Sequence, residues 1–484
     1  MGHAQHIKPE IMHRTSLMAA LAIAIMPHCG AYAKIKTAPF IAPGMVIQQN
    51  SDVRLSGTTT RKGATIKIKA SWDRRTLKCK ASDDGRWTVT IRTPQADHKP
   101  HTLTLDDGEP LTIDDVLVGE VWLASGQSNM EMPLRGFDNC PVENSTETIL
   151  RAGENRDVRL FTVPKTQSWQ PADSCGGRWM RSEPRNAAEF SATAYHFATT
   201  LSRALDVPVG VVVCAYGGSR VESWMKRSLL EDFPDISLKR ENVEKEQEWS
   251  RPLLMYNAMF HPVTSYTYKG IIWYQGESNT GSYRTYADRL ALMVKSWREE
   301  LGLGDIPFYS VEIAPYEGYG GNGPFLREQQ HRSAGLIPNS ACISTNDLVE
   351  PYECGQIHPK KKREVGMRLA LTALNRCYGH SWLPCEGPRY REMHTEGSTA
   401  ILTFDHVSGG FSRDRGITGF EVAGDDRVFH PADKVRIVGN ASIAVSSKNV
   451  EHPVAVRYCF RDFMPGNLHG ASGLPVVPFR TDNW

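Results

Sequence analysis

An excess of charge of either sign is missing from this sequence. Lys and Arg number 56 against 54 Asp and Glu, a formal net charge of +2. No electrostatic case therefore arises for nucleic acid or an anionic membrane surface as partner. Paired cysteine motifs are missing too. The ten cysteines include no Cys-x-x-Cys, and no His-Glu-x-x-His occurs, so no zinc site is indicated and no cofactor is expected. Long apolar runs are scarce. The run at residues 17–26 (LMAALAIAIM) is about half of the ~20 residues that a membrane-spanning helix needs. Lys8 and Arg14 precede it and Ala31-Tyr32-Ala33 follows, so residues 1–33 read as an export leader. Cleavage after Ala33 leaves a periplasmic or secreted product that starts at Lys34. Such a product meets oxidising conditions. Cys377 with Cys385, or Cys342 with Cys354, lie near enough in sequence to pair, although spacing does not fix connectivity.

What is present sorts into three regions. Hydrophobic residues at 40% and charged residues at 23% are ordinary globular values, and 484 residues imply two or three folding units. Residues 34–115 hold short runs of period two, such as Thr65-Ile66-Lys67-Ile68-Lys69 and Trp87-Thr88-Val89-Thr90-Ile91, broken by Asp-Asp-Gly turns. They read as a small β-rich domain. Residues 381–484 form a second β-rich segment, clearest at 400–404 and 454–458. Residues 116–380 differ. Apolar runs of strand length at 116–124, 209–215, 270–274, 308–313 and 341–344 alternate with amphipathic stretches at 187–205, 285–301 and 360–375. Continuous apolar strands separated by helices indicate an α/β domain, a parallel sheet covered on both faces.

Polar residues gather where these strands end. The first runs into Ser125-Gly126-Gln127-Ser128-Asn129-Met130, the second into Tyr216-Gly217-Gly218-Ser219-Arg220, the third into Gln275-Gly276-Glu277-Ser278-Asn279 and the fifth into Thr345-Asn346-Asp347. Open parallel sheets bind ligands beyond the carboxyl ends of their strands, so the four clusters converge on one rim. A serine hydroxyl needs a neighbouring base to become a nucleophile. Ser128 follows the first strand. His358, with Pro359 and a helix after it, is the base with a matching context, and the proline is read as the helix's first residue. Donors for an oxyanion are expected from the Ser128 backbone, a backbone N–H in the Gly217-Gly218 turn, and the side-chain amide of Gln275 or Asn279. Glu277 reads as a brace behind the loop. No Gly-x-Ser-x-Gly elbow occurs at Ser128, where Met130 takes the last glycine's place, which speaks against an α/β-hydrolase.

The blocks VLVGEVWLASGQSNMEMP, AYGGSRVESWM, WYQGESN and QIHPKKKREVGMRLALTAL resemble those of the sialate O-acetylesterase family of SGNH hydrolases. MVIQQNSDVRLSGTT and GLPVVPFRTDNW are similar to its flanking segments, so the likeness spans nearly the whole chain after the leader. The resemblance implies a flavodoxin-like three-layer sheet between β-rich flanks and a cofactor-free serine esterase acting on O-acetylated sugars. It places the nucleophile on Ser128, the base on His358, and the oxyanion donors on Ser128, Gly218 and the Gln275/Asn279 loop. One departure stands out. Many SGNH enzymes carry an aspartate three residues before the histidine, where this chain has Gly355. Asp347 is the first candidate substitute, then Glu353 or Glu350; otherwise a backbone carbonyl or Gln356 orients the ring of a Ser–His dyad. A sialic acid substrate would need an arginine for its carboxylate, and Arg220 and Arg327 are the candidates. Acetylated xylan is the alternative substrate, and a non-catalytic carbohydrate-binding protein is the alternative class.

Overall fold

The computed structural model describes residues 34–413 and 416–484. The leader read at residues 1–33 lies outside them. Among the described residues no helix is long and apolar enough to cross a membrane.

The central sheet is built from β1 (Pro110–Gly126), β2 (Val158–Thr162), β3 (Trp179–Arg181), β4 (Val209–Ala215), β5 (Gly270–Tyr274), β6 (Phe308–Val311) and β7 (Ser340–Ile343). Their spatial order is β3-β2-β4-β1-β5-β6-β7. All neighbours pair in parallel except the β3–β2 edge, which is antiparallel. The run β4-β1-β5-β6-β7 is the flavodoxin order. It places β1 in the middle, where the chain winds first to one side and then to the other. Every residue of β4 and β5 is buried, which is why these strands read as unbroken apolar runs.

The helices that matter are α1 (Ser128–Glu131), α2 (Ala192–Leu205), α3 (Tyr283–Leu301), α4 (Gly323–Leu336) and α5 (Lys362–Cys377). Successive residues of a strand face opposite sides. Trp122 and Ala124 pack with Phe197 and Leu201 of α2 and Leu369 and Ala373 of α5. Val121 and Leu123 join the opposite core, with Met293 and Trp297 of α3 and Leu326 of α4. Helices α2 and α5 meet closely at Gly366, where a Cβ would stand 2.7 Å from the Thr193 carbonyl oxygen and the Phe197 backbone nitrogen.

The flanks are β-rich as read, but the first is not separate from the sheet. Strand β1 is 17 residues long. Its first part pairs antiparallel with His101–Asp106 and its last part lies between β4 and β5. A boundary between residues 115 and 116 therefore falls inside one strand. At the other end two four-stranded sheets face each other across a core that includes Leu402, Phe404, Val422, Val445, Val456 and Tyr458. The nine described cysteines are all unpaired, so neither suggested disulfide is present.

Candidate active site

Ser128 opens α1 directly beyond β1, and His358 lies in the loop after β7. Both therefore sit at the carboxyl edge of the sheet, at the point where the strand order reverses. The Ser128 Oγ to His358 Nε2 distance is 2.8 Å. Pro359 does not open the following helix, because α5 starts at Lys362. The imidazole is held instead by the loop. Burial, and then the nearby Lys362 ammonium, lower its pKa to about 4, so the ring is neutral and able to accept a proton at ordinary pH.

The glycine turn lies against the serine: a Cβ on Gly217 would be 3.4 Å from Ser128 Cβ. The Gly217 N–H donates to Glu131 Oε2 at 2.6 Å, and Glu131 Oε1 pairs with Lys165 at 2.8 Å. Ser128 is the first residue of its helix, where N–H groups have no intrahelical acceptor. Neither its N–H nor that of Gly218 has a hydrogen-bond acceptor among the described residues. Gly218 sits at φ +77, and a Cβ there would stand 2.3 Å from Trp249 Cδ1. Trp249, 47% exposed, thus covers the turn from the solvent side.

The side-chain amides expected as further donors are engaged elsewhere. Gln275 Nε2 donates to the Ser219 carbonyl at 3.0 Å and to Asn279 Oδ1 at 2.7 Å. Asn279 accepts from the Val221 N–H at 3.0 Å and donates to Glu222 at 3.0 Å. They brace the glycine turn rather than reach the serine. Behind the serine, Asn129 Nδ2 donates to Glu277 Oε1 at 2.5 Å and to the Ile357 carbonyl at 3.1 Å, tying the histidine loop to α1. Glu277 is buried and its pKa is raised by burial, in keeping with a brace.

The candidate orienting acids and substrate arginines are also engaged elsewhere. Asp347 does not hydrogen-bond to His358. Its carboxylate takes Arg368 at 2.8 and 2.6 Å and His469 at 3.1 Å, joining α5 to the C-terminal sheets. Glu353 and Glu350 cap a short turn through each other's backbone, and Glu350 also pairs with Lys361 at 2.6 Å. Arg327 is 1% exposed and donates to the Cys459 and Arg461 carbonyls. Arg220 does lie in the glycine turn, but its guanidinium is taken by the Ser250 carbonyl at 3.1 and 3.0 Å and by Glu246.

Some site residues had no separate signal in the sequence. Asn129 and Glu131 sit inside the SNMEM block, where nothing in the sequence separates their roles from that of Ser128. Lys362 was lost among three consecutive lysines. Lys165, Trp249 and Cys140 reach the site only through the tertiary fold.

The family model for carbohydrate esterase, sialic acid-specific acetylesterase, matches residues 118–375. The chain belongs to this family. The esterase is 27% identical over 411 residues to the sialate O-acetylesterase of Homo sapiens, covering 76% of each chain. It is 28% identical over 455 residues to that of Rattus norvegicus, covering 80% of this chain and 82% of the other. A solved carbohydrate acetylesterase from Xanthomonas citri shares 34% identity with a TM-score of 0.81, over 93% of this chain and all of the other. The esterase is accordingly a carboxylic ester hydrolase of the kind that removes O-acetyl groups from sugars.

Proposed function

We propose that the esterase cleaves O-acetyl groups from sugars by a Ser128–His358 acyl transfer. The 2.8 Å contact between the serine hydroxyl and a neutral imidazole, beside unengaged backbone N–H groups, carries this reading. Ser128 Oγ adds to the acetyl carbonyl carbon while its proton passes to His358 Nε2. The Ser128 and Gly218 N–H groups receive the oxyanion. Collapse breaks the carbon–oxygen bond to the sugar, and the imidazolium returns its proton to the departing sugar oxygen. Water, deprotonated by His358, then hydrolyses acetyl-Ser128 and releases acetate. Ser128→Ala should abolish acetate release from an aryl acetate while the fold stays intact; retained turnover would remove Ser128 from the mechanism.

The mammalian relatives are named for sialate, and O-acetylated sialic acids are the first substrate to test. A second reading, an uncharged acetylated polysaccharide such as acetylated xylan, is favoured by the arginines. Arg220 is occupied by protein acceptors and Arg327 is buried, so neither is free to clamp a substrate carboxylate. Acetate release from the two substrates in parallel decides between them. The leader reading puts this reaction outside the cytoplasm, and N-terminal sequencing of the processed protein should begin at Lys34.

A further inference from the structure

The Ser128–His358 reading leaves one question open, namely what holds the far side of the imidazole. No carboxylate hydrogen-bonds to Nδ1 among the described residues. The polar partner there is Cys140 Sγ, 3.8 Å away. A thiol is both a weak donor and a weak acceptor, so it can accept from Nδ1–H and pass its own hydrogen on.

Its own hydrogen goes to Gln356 Oε1 at 3.4 Å. The same oxygen accepts the His358 backbone N–H at 3.1 Å, and Gln356 Nε2 donates to the Asn139 carbonyl at 3.4 Å. Gln356 thus staples the histidine loop to the turn that carries the cysteine. That turn is closed by two reciprocal backbone hydrogen bonds of 3.0 Å between Phe137 and Cys140. From it the Phe137 ring meets the imidazole edge-on, with 5.3 Å between centroids. One short turn therefore supplies both an apolar wall and a sulfur to the same ring.

We propose that Cys140, held by Gln356, is the positioning residue that fixes His358 with Nδ1–H towards sulfur and Nε2 towards Ser128. The hydrogens run in one direction, from Nδ1 to Sγ and from Sγ to the Gln356 oxygen. No fixed negative charge faces Nδ1, in contrast to the usual aspartate. The arrangement selects the ring's tautomer and orientation with a neutral partner.

The test measures kcat and KM on an aryl acetate for Cys140→Ala, Cys140→Ser and Ser128→Ala, with thermal unfolding recorded for each. For Cys140→Ala we expect kcat to fall about tenfold to a hundredfold, with KM within about twofold of wild type. Cys140→Ser, which keeps a donor and an acceptor, should restore most of kcat. A purely structural cysteine would not give that split, nor that rescue. If Cys140→Ala does not melt cooperatively, Gln356→Leu removes the thiol's acceptor and should show the same kcat loss. Wild-type kcat in a folded Cys140→Ala, or a rise in KM alone, would overturn the positioning role. Turnover surviving in Ser128→Ala would instead overturn the underlying dyad, so the two failures are distinct.

Discussion

The Lys362 ammonium donates to Asn129 Oδ1 at 2.5 Å, one residue along from the serine, with only 1% of its surface exposed. The other end of the same amide donates to Glu277, so a buried cation and a buried acid are linked through one asparagine. Burial lowers the Lys362 pKa to about 7, and the lysine in turn helps to hold His358 near 4.

The pH dependence of turnover follows from that pair. His358 acts as a base only when neutral, so kcat/KM should rise through about pH 4 and then level off. Lys362, at about 7, keeps its charge across the acid limb. Lys362→Met removes the positive neighbour and should move the acid limb to higher pH. An unmoved limb would show that burial alone sets the histidine.

Stability should fall on the acid side for a related reason. The unfolded chain protonates its histidines near 6.5, whereas His358 and His196 are both held near 4 in the fold, each chiefly by burial. Between pH 6.5 and 4 the unfolded state therefore binds more protons, and unfolding becomes easier as pH drops. Asp347, held near 2, adds to the loss only at still lower pH. Melting temperature against pH checks this, and a flat profile from 6.5 to 4 would contradict it.

Gly218→Ala should damage catalysis more than folding. The residue has φ +77, which an L side chain rarely adopts, and a Cβ would also meet the Trp249 indole, so relieving the strain displaces the backbone N–H. Losing one oxyanion donor typically costs about a hundred- to a thousandfold in kcat. Steady-state kinetics on an aryl acetate measures it, and near-normal kcat would exclude this N–H as a donor.

Gly366→Ala should do the reverse. Here the obstacle is the backbone of α2, which cannot rotate away as a side chain can. Overpacking of this kind costs about 1–3 kcal/mol. A clear drop in melting temperature is expected, with kcat per folded molecule little changed.

Asp347→Asn separates an anchor from a triad member. Replacing a triad aspartate by its amide costs about ten-thousandfold in a serine protease. Asp347 holds Arg368 and His469 instead. The variant should keep kcat within about tenfold and lose stability, since it breaks a buried ion pair. A ten-thousandfold loss in a folded variant would restore Asp347 to the mechanism.

The parts legible in the sequence are those whose chemistry is local. Strands β4 and β5 coincide with the apolar runs at 209–215 and 270–274 because both of their faces are covered. Strand β2 carries no continuous apolar signature in the sequence, because its buried Arg159, facing Asp115, breaks the run. Helix α4 has no clear helical period in the sequence, because buried Arg327, Gln330 and Ser333 blur its apolar stripe. Ser128 and His358 stood out through the residues beside them. The neighbours of the imidazole did not, because Cys140 reaches it only once the chain has folded back across 218 positions. The acids nearest in sequence were the natural candidates, yet each is claimed by a cation or a turn.

Strand β1 has a practical consequence. The shelf that carries the nucleophile is the far end of a ribbon whose near end is stitched to the first β-rich module. Cutting the chain at residue 116 would strip that ribbon of its antiparallel partner and expose the apolar underside of the hydrolytic half. Residues 116–380 expressed by themselves should therefore give aggregate rather than enzyme.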